Sequence, residues 1–404
     1  MTAVALHTQL LPREAPRRVL AVGAWLKNTA CRIDGAHVRW SPLHGDLAEP
    51  AQCAALEASL EALLAEGPVD AIAHDLHPDF FSTQLALRWT DQLGVPAIGV
   101  QHHHAHAAAL QAEHGLERPV VALTLDGVGL GTDGVAWGGE LLWADGGRWS
   151  RLGHLTPIRL AGGDIAACEP WRLAAATLHL LGRMDEAPRR LGHHHSEAGL
   201  KLLGSMLDKG LHSPWATGAG RWFDATAGIL GLGARQAFEA QAAIALEQAA
   251  TAWLADHTLL PHAELCPLQP DGTLDLLPLM TRLWALCDAG LSADDLLGQG
   301  AALFHVNLSD GLARWATAAL HAQGVSDVVL GGGCFYNRLM TQRLTDTLAR
   351  LSRDAGREAP HVHQAQALSC GDAGLALGQA WAVAHAADLR VAQLSPTPMT
   401  EGAR

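Results

Sequence analysis

Four histidines fall within five positions in the stretch Gly99-Val100-Gln101-His102-His103-His104-Ala105-His106-Ala107, directly after an apolar run from Val95 to Val100. If a helix starts at Gln101 or His102, His102 and His106 stand at i and i+4. Their Cβ atoms are then about 5–6 Å apart, close enough for two imidazoles to share a metal ion. His103 and His104 point elsewhere on such a helix. The same spacing admits a plainer reading, a polar helix start with solvated imidazoles. Two imidazoles are not a complete site, so acidic ligands must come from other segments. Asp126 ends a strand and enters a Gly-rich turn, and Asp372 sits at a loop-to-helix junction in Ser369-Cys370-Gly371-Asp372-Ala373-Gly374. An N2O2 set suits Fe(II) or Zn(II). Locally, Asp126 serves equally well as a turn former and Asp372 as a helix N-cap.

Two glycine-rich segments could seat an anion. In Asp126-Gly127-Val128-Gly129-Leu130-Gly131 the glycines allow backbone N–H groups to approach a bound group closely. In Leu330-Gly331-Gly332-Gly333-Cys334 a strand, a glycine turn and a helix N-terminus follow one another, a common seat for phosphate or nucleotide. Asn337, one turn further on, could hydrogen-bond a ligand or simply cap the helix. Gly220 and Asp224 lie in GAGRWFDA, where Asp224 could accept from ribose hydroxyls or act as a helix-start carboxylate. Lys27 and Asn28, in the first hairpin turn, could touch a phosphate or carbamoyl-type group or be ordinary solvated turn residues. No GxxxxGK[ST] and no GxSxG occurs. Cys334 and Cys370 read as packed thiols, and His193-His194-His195 as a solvated loop.

The elements that must position these residues follow from periodicity. Val19–Gly23, Thr29–Ile33 and His37–Trp40 suggest a three-stranded meander, with flexible residues 1–16 before it. A helix over 51–66, a strand over 69–73, a helix over 82–93 and a strand over 97–100 complete a βββαβαβ pattern. A second strand-rich opening runs from Val120 to Leu125, turns through DGVGLGTDG and returns over 135–142. Residues 171–320 are mostly helical, before a strand over 327–330 and a helix from Arg338; residues 388–404 read as a flexible tail. The 404 residues are 49% hydrophobic, enough for two or three compact domains. A balance of 28 basic against 41 acidic side chains, net −13, disfavours nucleic acid as the main partner. The seven cysteines never form CxxC, which fits a reducing compartment without a thiolate zinc site. No apolar run suggests a membrane span or a signal peptide, so the expected location is cytoplasmic.

Several segments together resemble the HypF carbamoyltransferases of hydrogenase maturation, specifically their C-terminal half, which is similar to the universal tRNA threonylcarbamoyladenosine transferase. They are GAWLKNT, SPLHGDL, HDLHPDFFST, VQHHHAHAA, LTLDGVGLGTDGVAWGGE, GGDIAACEPWR, GRWFDATAGILGL, FEAQAAIALE, LGGGCFYNRLM and GDAGLALGQ. The resemblance implies an α/β, actin-like ATPase fold: two ribonuclease-H-like domains with a nucleotide cleft and a largely helical insertion. Domain I would be 17–117, completed by a helix over 372–387. Domain II would be 118–371, with the insertion over about 171–320. It implies His102, His106, Asp126 and Asp372 as metal ligands, Fe or Zn, with Mg a further candidate ion. It places Gly127, Gly129, Gly131, Gly220, Asp224, Gly332, Gly333 and Asn337 around ATP or carbamoyl adenylate. The implied reaction passes a carbamoyl group, derived from carbamoyl phosphate, to the C-terminal cysteine thiolate of the partner HypE, with Lys27 stabilising negative charge. The acylphosphatase, zinc-binding and adenylate-forming domains of full-length members have no counterpart in this sequence. A tRNA threonylcarbamoyladenosine transferase and a non-catalytic ATP-binding maturation scaffold are the alternatives.

Overall fold

The computed structural model describes residues 4–192 and 195–397. Strands and helices alternate in its first part: β1 (His7–Ala21), β2 (Cys31–Trp40), α1 (Pro50–Leu64), β3 (Ala71–Asp75), α2 (Phe81–Leu93), β4 (Ala97–Val100), α3 (His102–His114), β5 (Val120–Leu130), β6 (Ala136–Asp145), β7 (Arg148–His154) and β8 (Ile158–Arg159). A mostly helical stretch follows, with α4 (Ile165–Cys168), α5 (Pro170–Leu180), α6 (Ala187–Leu191), α7 (Glu197–Lys209), β9 (Trp215–Ala216), α8 (Ala219–Ile229), α9 (Gln241–Asp256), α10 (Leu277–Cys287) and α11 (Ala293–Gln323). The chain ends through β10 (Asp327–Gly331), α12 (Arg338–Asp354), β11 (His361–Gln364) and α13 (Leu375–Ala384). No helix among the described residues is long and apolar enough to cross a membrane.

The strands form two sheets, one ordered β2-β1-β3-β4 and one ordered β11-β10-β5-β6-β9-β8, with β7 also paired to β6. The meander expected at the start is instead a hairpin of two long strands. β1 begins at His7, within the stretch expected to be flexible, and DGA lies inside β2 rather than in a turn. Its register against β2 shifts between Leu10 and Ala15 and again between Ala15 and Val19, so Pro12 and Pro16 fall in irregular pairing where a missing N–H is tolerated. β3 pairs only with Val19–Ala21, which leaves the proline-bearing part of β1 without a ladder on that side. The expected tail is also partly docked, since Gln393 bridges to Gly99 and Leu394 is buried; residues 398–404 lie outside the described residues. Around β5 the expected turn at DGVGLG is a strand irregularity between Leu125 and Gly129, and the hairpin closes only after Leu130.

Helix α3 lies between the sheets. Ala105, Ala108 and Ala112 join the core under the first sheet, while Ala107 and Leu110 pack on Val120, Ala122, Leu142 and Val329 of the second. Every residue from His102 to Ala112 is buried. This explains the run of alanines, because only small side chains let a helix approach packed elements on several faces. The approach is closest at α13, where a Cβ on Gly378 would lie 1.7 Å from the Ala105 carbonyl oxygen.

Candidate metal centre and its surroundings

Strand β4 leads directly into α3, so the first turn of the helix sits at the carboxyl end of a parallel strand, where α/β sheets present ligand sites. Gln101 caps that turn by accepting the His104 N–H at 2.9 Å, and its own amide donates to the Leu130 carbonyl and to His103 Nδ1. The cap fixes the helical phase, and His102 and His106 project together with ring centroids 4.9 Å apart. Asp126 reaches them from the irregular segment of β5, where a bulge re-aims a side chain. Asp372 arrives from the short turn preceding α13.

His106 Nε2 lies 3.0 Å from Asp126 Oδ2 and 3.5 Å from Asp372 Oδ1, while His102 Nε2 lies 3.4 Å from Asp372 Oδ1 and 3.9 Å from Asp126 Oδ2. One ligand atom from each of the four residues falls within 4.8 Å of all the others. Ligands bound tetrahedrally at about 2.1 Å would be about 3.4 Å apart, so the donor set fits a small cation. A second observation supports the fit: His102 Nε2, His106 Nε2 and Asp126 Oδ2 are buried and make no well-formed hydrogen bond, facing only one another and Asp372 as ion pairs. Buried ligand atoms that converge on one point without well-formed hydrogen bonds are better satisfied by a shared cation.

The charges are mutually held. Burial disfavours the His102 cation, but the Asp372, Asp126 and Asp75 carboxylates outweigh it and keep the imidazolium well above the usual histidine range. His106 is raised in the same way, against burial, by Asp126 and Asp372. Burial likewise opposes ionisation of Asp372, yet His102 and His106 draw it down to about 2, and the same two rings hold Asp126 well below the carboxylate range. A cation entering here would displace those protons, because metal ligation needs neutral imidazole nitrogens.

His103 and His104 stand outside the quartet but are not solvated. Both are fully buried, His103 beside Trp137 and His104 donating from Nε2 to the Gly146 carbonyl at 2.8 Å. Burial pushes His104 down to about 4. Sequence reasoning missed Asp75. Its Oδ2 accepts from His102 Nδ1 at 2.9 Å, its Oδ1 accepts from the His77 N–H at 2.9 Å, and it is only 1% exposed. This bond leaves His102 Nε2 as the lone-pair nitrogen facing the other ligands when the ring is neutral, the usual arrangement behind a metal-bound imidazole.

The remaining sequence candidates divide. A Cβ on Gly333 would meet Asp126 Oδ1 at 3.2 Å; one on Gly220 would meet the Gly127 Cα at 3.2 Å; and Gly332, at φ +99°, has no room for a side chain beside the Leu125 carbonyl. These positions bring the β5 irregularity, the start of α8 and the turn after β10 into backbone contact around Asp126. At Gly129 and Gly131 a side chain would meet protein neighbours. A Cβ on the first would strike His102 and His103, and on the second Trp137. Asn337 is engaged at both ends, Oδ1 capping α12 through the Met340 N–H and Nδ2 contacting His305 Nε2 at 2.9 Å. Asp224 is buried, held by Gln236 Nε2 at 2.8 Å and facing Arg221 Nη2 at 3.0 Å. Arg221, also unremarked in the sequence, lies over Gly127 and keeps a buried Nε without a partner.

Lys27 Nζ pairs with Glu239 at 2.8 Å on a left-handed backbone (φ 49°). Partial burial opposes its charge, but Glu239, together with Asp372 and Asp126, raises its pKa. Asn28 turns inward to the Val22 and Ala24 carbonyls and to His44. Burial raises both thiols near the glycine turn, Cys370 to about 11 and Cys334 well above its ordinary range, in keeping with packed cysteines. His193 and His194 lie outside the described residues, and the His195 ring packs on Trp171. Two bonds tie the first sheet to the Asp372 segment: Thr29 Oγ1 donates to the Ala373 carbonyl, and the Gln379 amide pairs with Gly23 N–H and carbonyl.

Two family models match this chain: the HypF Kae1-like domain over residues 14–113, and the second subdomain of the carbamoyltransferase Kae1-like domain over 122–379. A carbamoyltransferase HypF homolog of Cupriavidus necator is 51% identical over 94% of this chain and 95% of its own length. Carbamoyltransferase HypF2 of the same organism is 42% identical over 92% of this chain but only 47% of its own length. Among solved structures, full-length HypF in a phosphate- and nucleotide-bound form superposes with a TM-score of 0.81 at 28% identity, covering 93% of this chain and 47% of that one. HypF of T. kodakarensis gives 0.78 at 27% identity, covering 93% and 48%. The chain thus spans nearly the whole of one relative and about half the length of the others. On these matches, which run along almost its entire length, the chain belongs to the HypF carbamoyltransferase family.

Proposed function

We propose that the chain carries out the carbamoyl-transfer step of its family in a cleft built around His102, His106, Asp126 and Asp372. The observation that carries this reading is the convergence of four ligand atoms from His102, His106, Asp126 and Asp372 within 4.8 Å of one another beside the glycine turns. The proposed architecture is an actin-like ATPase fold. Domain I comprises the first sheet and α3, completed by α13 through the Gln379–Gly23 pairing. Domain II runs from 118 to 371 with a helical insertion over 171–320. Domain I is proposed over 17–117, and β1 already begins ahead of it at His7.

The expected ion is Fe(II) or Zn(II), since two imidazoles favour these over Mg(II); when bound, it supplies a Lewis acid for a carbamoyl carbonyl or a phosphate oxygen. The protein's own groups do the positioning. Asp75 holds the His102 tautomer. Gly127, Gly220, Gly332 and Gly333 form a floor that a nucleotide phosphate can approach, and the Arg221 guanidinium, oriented by Asp224, lies over it. Lys27 exchanges Glu239 for the incoming anion and offsets charge that develops in the transition state. The thiolate comes from the C-terminal cysteine of HypE. It attacks the carbamoyl carbon of carbamoyl adenylate, a C–S bond forms, the C–O bond to phosphate breaks, and AMP leaves with the electron pair. A net charge of −13 argues against a tRNA acceptor.

The test is single-turnover transfer of labelled carbamoyl to HypE, offered either as preformed carbamoyl adenylate or as carbamoyl phosphate with ATP. Label should reach HypE with the wild-type chain and not with His106→Ala. An unlabelled HypE with both donors would remove the transferase reading and leave the scaffold.

A further inference from the structure

At the far end of α3, about 18 Å along the helix from His102, lies a second group of ligand-type side chains. Edge strand β11 reads His361-Val362-His363, so its two imidazoles leave one face of the strand two residues apart. β10 runs parallel beside it with Asp327 opposite His361. The Asp327 Oδ1 therefore sits between the rings, 2.9 Å from His363 Nε2 and 3.3 Å from His361 Nδ1. Asp327 is 6% exposed, and its Oδ2 accepts from Ser326 Oγ and faces Arg118 at 3.6 Å. His114, the last residue of α3, places its ring 5.0 Å from that of His363 and donates to the Gln364 carbonyl.

We infer that His361, His363 and Asp327 form a second divalent-cation site, separate from the central quartet, with His114 flanking it. Alternate residues of a strand present two imidazoles on one side, and a neighbouring strand adds a carboxylate already within 3.3 Å of both. Such a set suits a borderline ion that favours imidazole nitrogen, Zn(II) or Cu(II), over Mg(II) or Ca(II). In the structure the rings flank the carboxylate. The His361 side chain is 66% exposed and turns about χ1 to bring a ring nitrogen towards the His363 side of the oxygen. Arg118, 73% exposed, swings away as the cation takes its place. The bound ion would pin the edge strand to its neighbour. The inference is independent of the central site and of any transferase activity.

The test is Zn(II) titration of the full chain against a chromophoric chelator, with metal content read directly. Two ions per chain are expected. His106→Ala should lose the central one alone, and His361→Ala or His363→Ala the second alone, with its affinity down at least about tenfold. His361→Ala removes an exposed side chain and leaves the fold intact, so a folding defect in His363→Ala does not decide the matter. Ion uptake, of one ion or two, that is unchanged in both His361→Ala and His363→Ala overturns the site. Loss of one ion in His361→Ala with none in His106→Ala supports the second site while removing the central one.

Discussion

Asp75→Asn changes one atom type at a residue that does not touch the proposed ion. Asp75 accepts two hydrogen bonds, from the His77 N–H and from His102 Nδ1–H, both at 2.9 Å. Asparagine offers one acceptor and one donor in the same space. If its oxygen stays on His102, the His77 N–H faces an NH2 group and a buried bond is lost, at about 1–3 kcal/mol. If its oxygen stays on His77, the NH2 donates to His102 Nδ1, and the ring proton moves to Nε2, the atom needed for ligation. Both arrangements also remove a negative charge behind a ring that is 3% exposed. The expected outcome is metal affinity weakened about 10–100-fold, or about 1.4–2.7 kcal/mol, with the ion still bound at high concentration. His102→Ala should bind far more weakly. Competition with a chelator at pH 7.5 measures the affinity, and a denaturant titration of each metal-free variant separates it from stability. An Asp75→Asn affinity within about twofold of wild type would refute the two-acceptor argument.

Other consequences are open to simpler measurements. His106→Ala should abolish retention of the central ion, whereas His104→Gln, which gives up the ring stacked on Trp149 and alters the bond to the Gly146 carbonyl but removes no quartet ligand, should keep it on metal analysis; equal loss in both would mean that α3 is phased differently. Gly378→Ala, whose new methyl would collide with the Ala105 carbonyl, should lower unfolding free energy by about 2–3 kcal/mol and weaken ion binding, because α3 and α13 are forced apart; an unchanged urea midpoint would contradict that contact. Burial pushes His44, His104 and His305 each down to about 4. The unfolded chain takes up these protons below about pH 6.5 and the folded chain does not, so stability is full above 6.5 and falls as pH drops towards 4. Urea midpoints measured across that interval should fall steadily, and a flat profile would count against the buried neutral rings.

Much of the site was legible because it depends on local order. The 97–100 strand, the helix starting at His102 and the turn from β10 into Arg338 follow from periodicity, and the i, i+4 spacing selected His102 and His106. The flanking rings were harder. Solvated and buried histidines look alike in a run of polar residues, and the difference lies in two sheets closing on α3. Asp75 carries no local signal, yet strand pairing does contain one. β3 and β4 are parallel with Asp75 opposite Val100, two residues before His102, so both side chains emerge at one sheet edge. The N-terminal strand was hidden by Pro12 and Pro16, which read as breakers until the bulged pairing is known. At Gly129, Gly131 and Asn337 the sequence shows a ligand pattern but not the protein neighbours these residues also have, because a glycine needed for close packing and one needed for ligand access have the same letter.

The two bonds from the first sheet to the Asp372 segment bear on how the protein matures. His102 and His106 leave the ribosome early, Asp126 soon after, and Asp372 only when nearly all of the chain described here has been made. Thr29 and Gly23 then wait in a sheet formed long before for Ala373 and Gln379 to reach them. A stalled or clipped product can fold its early strands and still lack the last carboxylate and the helix that anchors it. If the quartet holds the proposed ion, its capture would become an inspection step, passed only by chains that have been synthesised through α13 and closed upon themselves.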